Sequence, residues 1–268
     1  TSDVGFDYQL YNGITPVGAP VSGTGSTLSF GSQTAAGTYT VRSTDMTTGC
    51  MSVMSGSAII TIDPLPTAYN VTGGGSYCSG GAGVLVGLNS SDAGVDYELY
   101  IDGIATGIIV PGTGVAISFG MQTTAGIYTV EAENTLTTCT NNMSGSATVA
   151  INPLPVAYVV TGGGNYCAGG AGVHVGLSAS NIGFSYQLYD ATATAVGGPL
   201  AGTGAALDYG LITAVGTYTV VATNVATGCV NDMMGSAIVG TDPLPAVYNV
   251  TGGGAYCSGG PGVNVDLD

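Results

Sequence analysis

PLPTAYNVTGGGSYCSGG runs from Pro64 to Gly81, returns as PLPVAYVVTGGGNYCAGG from Pro153, and returns again as PLPAVYNVTGGGAYCSGG from Pro243. Blocks this long and this alike mark a tandem array, and the array frames every other feature. Thr72, Thr161 and Thr251 are equivalent, as are Cys50, Cys139 and Cys229, so the steps are 89 and then 90 residues. The closing GVNVDLD followed by the opening TSDVGFDYQLY matches GVLVGLNSSDAGVDYELY from Gly83 and GVHVGLSASNIGFSYQLY from Gly172. The expected arrangement is a window of three whole repeats in a longer array. Residues 1–63 are a repeat without its N-terminal strands, 64–152 and 153–242 are full repeats, and 243–268 are the N-terminal strands of another.

A repeat of about 89 residues is large enough to close its own core. Arg42 is the only Lys or Arg, against sixteen Asp and Glu, and the net charge is −15. No basic patch exists to displace counterions from phosphate, which argues against nucleic acid and against an anionic membrane surface. No apolar run has the length of a membrane-spanning helix, so this segment is not expected to insert in a bilayer. Charge of one sign keeps a long array dispersed.

Between the Pro-Leu-Pro blocks the pattern alternates with period two, which predicts β-strands throughout. AYNVTGG reads as a first strand and GVLVGL as a second, with Val84, Val86 and Leu88 on one face. In VDYELYI, Tyr97 and Leu99 alternate against Asp96, Glu98 and Tyr100. Asp102-Gly103 and Asn12-Gly13 are hairpin signals. Ile117 and Phe119 then face inward, matched by Leu28/Phe30 and Leu207/Tyr209. In GIYTVEAEN, Tyr128, Val130 and Ala132 face inward, and in the closing SGSATVAIN so do Ala147, Val149 and Ile151. The fold class expected is all-β: about seven short strands per repeat, each repeat a sandwich, with stiff Pro-Leu-Pro links making an elongated rod.

The YCSGG-x-GV-x-VGL block, the AGTYTV strand (Ala36 to Val41), the TTGC turn (Thr47 to Cys50) and the terminal GSA…PLP run resemble the Ig-like tandem repeats of giant Bacteroidetes surface proteins, the gliding and attachment adhesins of type IX secretion. That resemblance implies a secreted bacterial cell-surface protein and no enzymatic activity. In the wider immunoglobulin pattern, G-x-Y-T-V is similar to the strand that carries the tyrosine corner, which gives that role to Tyr39, Tyr128 and Tyr218. Val41, Val130 and Val220 stand where an immunoglobulin domain has its second core cysteine, and no Trp is present.

Six cysteines, two per repeat (Cys50, Cys78, Cys139, Cys167, Cys229 and Cys257), point to disulfides in an oxidising compartment. In an Ig-like sandwich Cys78 and Cys139 fall at opposite ends, about 20 Å or more apart at about 3.3 Å of strand rise per residue. A disulfide needs Cα atoms within about 7 Å. Two pairings stay open: Cys78–Cys139 within a domain, which requires a departure from Ig topology, or Cys78–Cys229 across a head-to-tail joint, with Cys167 facing the next copy's equivalent of Cys50. Buried free thiols are the remaining reading.

No cofactor is expected. Calcium would favour clustered carboxylates such as Asp3/Asp7, Asp92/Asp96, Asp63 and Asp242, although Asn181, Ser185 and Asn152 break the pattern and no known calcium-loop spacing occurs. His174 reads as a surface variant of Leu85, so no catalytic constellation recurs. The TGGG runs read as turns, since neither Lys nor a helix N-terminus follows. Met54, Met143 and Met233 read as plugs at the end of the core. Tyr11, Tyr100 and Tyr189 point away from the core and are candidates for lateral or glycan contacts. The function expected is a filament or surface stalk that self-associates into fibres, with direct adhesion to polysaccharide as the alternative.

Overall fold

The computed structural model describes all 268 residues, Thr1–Asp268, and every regular element is a β-strand. The first segment holds β1 (Phe6–Asn12), β2 (Thr15–Ser22), β3 (Gly37–Asp45), β4 (Met51–Val53) and β5 (Ala58–Ile60). The second repeat holds β6 (Val71–Gly73), β7 (Gly75–Cys78), β8 (Val84–Leu88), β9 (Val95–Ile101), β10 (Ile104–Pro111), β11 (Ile117–Gln122), β12 (Gly126–Asn134), β13 (Thr140–Asn142) and β14 (Ala147–Asn152). The third holds β15 (Val160–Gly162), β16 (Gly164–Cys167), β17 (Val173–Leu177), β18 (Phe184–Tyr189), β19 (Ala195–Ala201), β20 (Leu207–Ile212), β21 (Gly216–Asn224), β22 (Val230–Asp232) and β23 (Ala237–Asp242). β24 (Val250–Gly252) and β25 (Val265–Leu267) pair only with each other.

Contacts divide the chain into two compact units. One comprises Thr1–Gly73, Leu85–Gly120 and Ile127–Ala147, and the other Gly74–Val84, Met121–Gly126 and Thr148–Asp268.

The third repeat shows the architecture whole. One sheet has the order β15-β17-β20, and the other β16-β23-β21-β18-β19 with β22 also on β21. These are the A-B-E and A′-G-F-C-C′ sheets of an Ig sandwich. The repeat therefore has nine strands where the alternation suggested about seven. Set against the six stretches quoted from the sequence, the added ones are the second half of a split first strand, the edge strand β19, and β22 ahead of β23.

The split explains the triple glycine. β15 pairs antiparallel with β17 in one sheet, and two residues later β16 runs parallel to β23 in the other. The chain changes sheets at Gly162-Gly163-Gly164, all at positive φ. A Cβ on Gly162 would meet the His174 carbonyl oxygen at 2.1 Å, and one on Gly163 the Ile238 oxygen at 2.6 Å, so only glycine passes between the layers. The TGGG run is thus a crossing between sheets and not a turn.

Inside, Val175, Leu177, Tyr186, Leu188, Val220 and Ala222 are at most 1% exposed. The second repeat buries the matching Val86, Leu88, Tyr97, Leu99, Val130 and Ala132 equally well. Ile151, expected inward, is 42% exposed, because the alternation of β14 outlasts the core. At Asp102-Gly103 both residues have positive φ (49° and 81°), as a tight hairpin requires. In the first segment Asn12 belongs to β1 and the turn sits one residue later, at Gly13-Ile14.

Two phenols in the third repeat behave oppositely. Tyr218 donates from its hydroxyl to the Ala214 carbonyl oxygen at 2.7 Å, and Tyr39 to Ala35 at 2.8 Å, which is the geometry of a tyrosine corner. Tyr218→Phe is expected to cost about 1 kcal/mol in urea unfolding, the net value of one such bond. Tyr209 fills the place of Phe30 and Phe119 with a buried hydroxyl that has no partner, and burial pushes its phenol far up. Tyr209→Phe removes an unsatisfied polar atom, so the same measurement should show a gain of about 1 kcal/mol.

Candidate functional site: the disulfide joint

Cys78 ends β7, which runs parallel to β14 in a register that sets Cys78 beside Asn152, the residue before Pro153. Ser79 N–H donates to the Asn152 carbonyl oxygen at 2.9 Å, and Gly81 N–H to that of Cys78 at 2.8 Å, which fixes the cysteine at the exit of its repeat. Cys229 stands at the end of a turn built on Asn224. The Asn224 side-chain oxygen accepts from Ala226 and Thr227 N–H, at 2.9 and 3.2 Å. Asn224 N–H returns to the Cys229 carbonyl oxygen at 2.8 Å, so the turn is closed on both sides. Asn side chains favour such turns because they imitate a backbone carbonyl.

The two sulfurs are bonded: Cys78–Cys229 is a disulfide with Cα atoms 5.5 Å apart, 151 residues apart in sequence. Cys229 is fully buried. Beside it, Asn231 donates from its side-chain nitrogen to the Pro155 carbonyl oxygen at 2.8 Å, tying down the Pro-Leu-Pro link, and Asn141 does the same to Pro66 at 2.8 Å. Cys50, Cys139, Cys167 and Cys257 are free thiols. The alternation of residues showed neither asparagine clasp nor β7. Their signal was the recurrence of Asn141 and Asn231 two residues after a cysteine.

The turns that present Cys50 and Cys139 are copies of the Cys229 turn. Asp45 and Asn134 take the place of Asn224, and the N–H of each bonds the carbonyl oxygen of Cys50 or Cys139, at 2.9 and 3.0 Å. The Asp45 carboxyl is held below its ordinary range by the backbone N–H groups of Thr47 and Thr48.

The outward tyrosines have three different surroundings. Tyr11 lies under the Arg42 guanidinium, 4.4 Å from ring centroid to carbon. Tyr100 lines a groove with Asp96, Glu98, Ile109, Glu131 and Glu133, and burial, then the charges of Glu131 and Glu98, raise its phenol. Tyr189 lines a shallow depression with Asp190, Thr217, Thr219, Val221 and Asp232.

The acidic pairs are engaged locally. Asp7 accepts from the Ser22 hydroxyl at 2.6 Å, and Asp242 from the Asn165 amide at 2.8 Å. No three His, Cys, Asp or Glu gather as a metal-binding group. His174, expected on the surface, is exposed and pairs with Asp208, Nδ1 to Oδ2 2.8 Å, and that bond holds the Asp208 carboxyl low.

Asp92 accepts from the Tyr69 hydroxyl at 2.6 Å, which lowers the carboxyl and raises the phenol. A carboxyl lowered on folding adds stability above its ordinary value of 3.8, and loses it as the pH falls through the lower folded value. In an NMR titration Asp92 should titrate below 3.8, and Tyr69→Phe should move it back up. An unchanged midpoint in that variant would show that the phenol is not the cause.

No family model matches the chain, and no curated protein matches it. Among solved structures it is similar to titin domains A168–A170, with 12% identity over 88% of each chain and a TM-score of 0.32. It is also similar to the chicken CNTN1 FN1–FN3 domains, with 10% identity over 88% of this chain and 89% of that one, TM-score 0.30. Fibronectin(III)-like modules of Clostridium thermocellum CbhA give 11% identity over 64% of this chain and 94% of that one, TM-score 0.32. Such scores add nothing to the strand order described above, on which the Ig-like assignment stands.

Proposed function

We propose that the chain is a structural repeat segment of an extracellular filament or surface stalk of a bacterium, non-catalytic, with joints held by disulfides. The observation that carries this is the Cys78–Cys229 bond, which ties the exit of one repeat to a turn in the next. Disulfides of this kind persist in oxidising compartments. A cross-link between consecutive modules serves a polymer under tension, and a charge of −15 with one Arg keeps such a polymer from clumping. The test is electron microscopy of unreduced material sheared from producing cells. Uniform fibres with a domain-scale axial repeat support a filament and flexible cell-anchored threads a stalk. Short dispersed particles would count against both.

One observation favours direct adhesion as a second reading. The Tyr100 groove offers an aromatic ring beside Asp96, Glu98, Glu131 and Glu133, a combination that stacks on a sugar face and accepts its hydroxyls. Glycan-array binding that Tyr100→Ala abolishes would support it, and silence of the purified chain across the array would remove it.

A further inference from the structure

One sheet face of the second repeat differs in charge from its counterparts. Register sets Glu131 of β12 directly opposite Glu98 of β9, and Glu133 directly opposite Asp96. The next rung of the same face pairs Thr129 with Tyr100. Like charges opposite each other on a ladder destabilise a sheet. The matching rungs avoid this: they are Gln9–Arg42 and Asp7–Thr44 in the first segment, and Gln187–Val221 and Ser185–Thr223 in the third repeat.

Glu98 is also free of a task that its counterparts perform. In the first segment the Gln9 amide donates to the Leu10 carbonyl oxygen at 2.9 Å, and in the third repeat Gln187 donates to that of Leu188 at 2.8 Å. A carboxylate has no proton to donate. In the second repeat the Thr106 hydroxyl serves the matching Leu99 oxygen instead, at 2.7 Å. The strand is satisfied without Glu98, whose carboxylate lines the groove beside Tyr100.

The first segment shows what such a ring takes. There the Arg42 guanidinium lies over Tyr11, 4.4 Å from the ring centroid, a cation on an aromatic face. The counterpart of Arg42 is Glu131, so the position that supplies a cation in the first segment supplies an anion in the second repeat. No cation of the chain is left to fill the place. Arg42 is the only Lys or Arg, and His174 is paired with Asp208. The same count excludes a second copy as the occupant, since one arginine, already on Tyr11, cannot answer two acidic rungs.

We propose that this face of the second repeat docks an extended segment of a basic partner protein, with Arg or Lys at alternate positions. One cation meets the Glu98–Glu131 rung and lies on the Tyr100 ring as Arg42 lies on Tyr11. The next meets the Asp96–Glu133 rung. The period decides for an extended peptide: alternate residues of a strand stand about 7 Å apart, which spaces the two rungs and the guest's same-side side chains alike. Arginine suits the rung beside Tyr100, because its planar guanidinium stacks on an aromatic face and forks onto a carboxylate. The proposal stands independently of the filament reading and competes with a glycan for the same ring.

The test is fluorescence anisotropy with labelled peptides at physiological salt. The main probe is Arg-Thr-Arg-Thr-Arg, and the control has the same composition with its three arginines consecutive. The alternating peptide should bind several-fold tighter than the control. Glu131→Arg rebuilds the first segment's arrangement on Tyr100 and should abolish binding, with a thermal midpoint no lower than the parent's because a like-charged rung is gone. Tyr100→Ala should weaken binding several-fold, and Asp63→Asn, at an exposed acid outside the groove, should leave it unchanged. Equal binding of the two peptides, or equal losses in Glu131→Gln and Asp63→Asn, would overturn the proposal, because net charge alone would then explain the attraction. Glucosamine oligomers that bind through Tyr100 where neither peptide does would also overturn it, and would keep the adhesion reading. So would chains that associate with one another in sedimentation and are returned to monomers by Arg42→Gln. Failure of both peptides sinks the proposal and leaves the filament reading untouched, since that is decided by microscopy of native material.

Discussion

Cys229→Ala lowers the stability of the chain towards urea by about 5 kcal/mol, the chain-entropy value for cross-linking a 151-residue loop. The size comes from the unfolded state. With Cys78 and Cys229 bonded, the denatured chain loses the freedom of a long loop, and the folded chain needs no movement because the Cα atoms already stand 5.5 Å apart. The comparison is cleanest with the other four cysteines as serine, measured with and without reductant. Reductant should bring the parent down to the variant and leave the variant unchanged. Equal midpoints in all four samples would mean that the bond does not form.

Leu188→Ala is the second large effect, a loss of about 2–5 kcal/mol from deleting a buried leucine and leaving a cavity. Leu188 is fully buried on β18 and lies opposite Val220 on β21, with layers on both sides to hold the void open. The same substitution at Leu10, its counterpart in the first segment, should cost visibly less, because the groove beside Leu10 is already open. Urea unfolding of the two variants decides this. Equal losses would show that the first segment is as tightly packed as the third repeat.

Much of this was legible before any coordinates. Tyr97, Leu99, Val130 and Ala132 alternate with polar residues because one face of each strand is core, and that period survives in the sequence. Strand β10 left no such trace. It is an edge strand with both faces largely exposed and a bulge between Ala105 and Ile109, so nothing forces an alternation. The strand ending in Cys78 was hidden for a different reason. Its partner β14 is more than sixty residues away, and a run of glycines fits a turn as well as it fits a passage between sheets. About the joint the residues left two pairings open, Cys78–Cys139 and Cys78–Cys229, and the structure bonds Cys78 to Cys229 and leaves Cys139 a free thiol. The asparagine clasps on Pro66 and Pro155 needed coordinates, since a side chain reaching a carbonyl 75 or 76 residues away has no local signature.

The joint also bears on what a protease can do to such a chain. Every peptide bond from Cys78 to Cys229 lies inside a closed covalent ring, including the exposed link at Leu154. One cut there opens the ring into two fragments that stay joined through Cys78–Cys229, and releases nothing. Parting the two ends of the chain takes a cut within the ring together with reduction of Cys78–Cys229, because a second cut only frees the piece between the cuts.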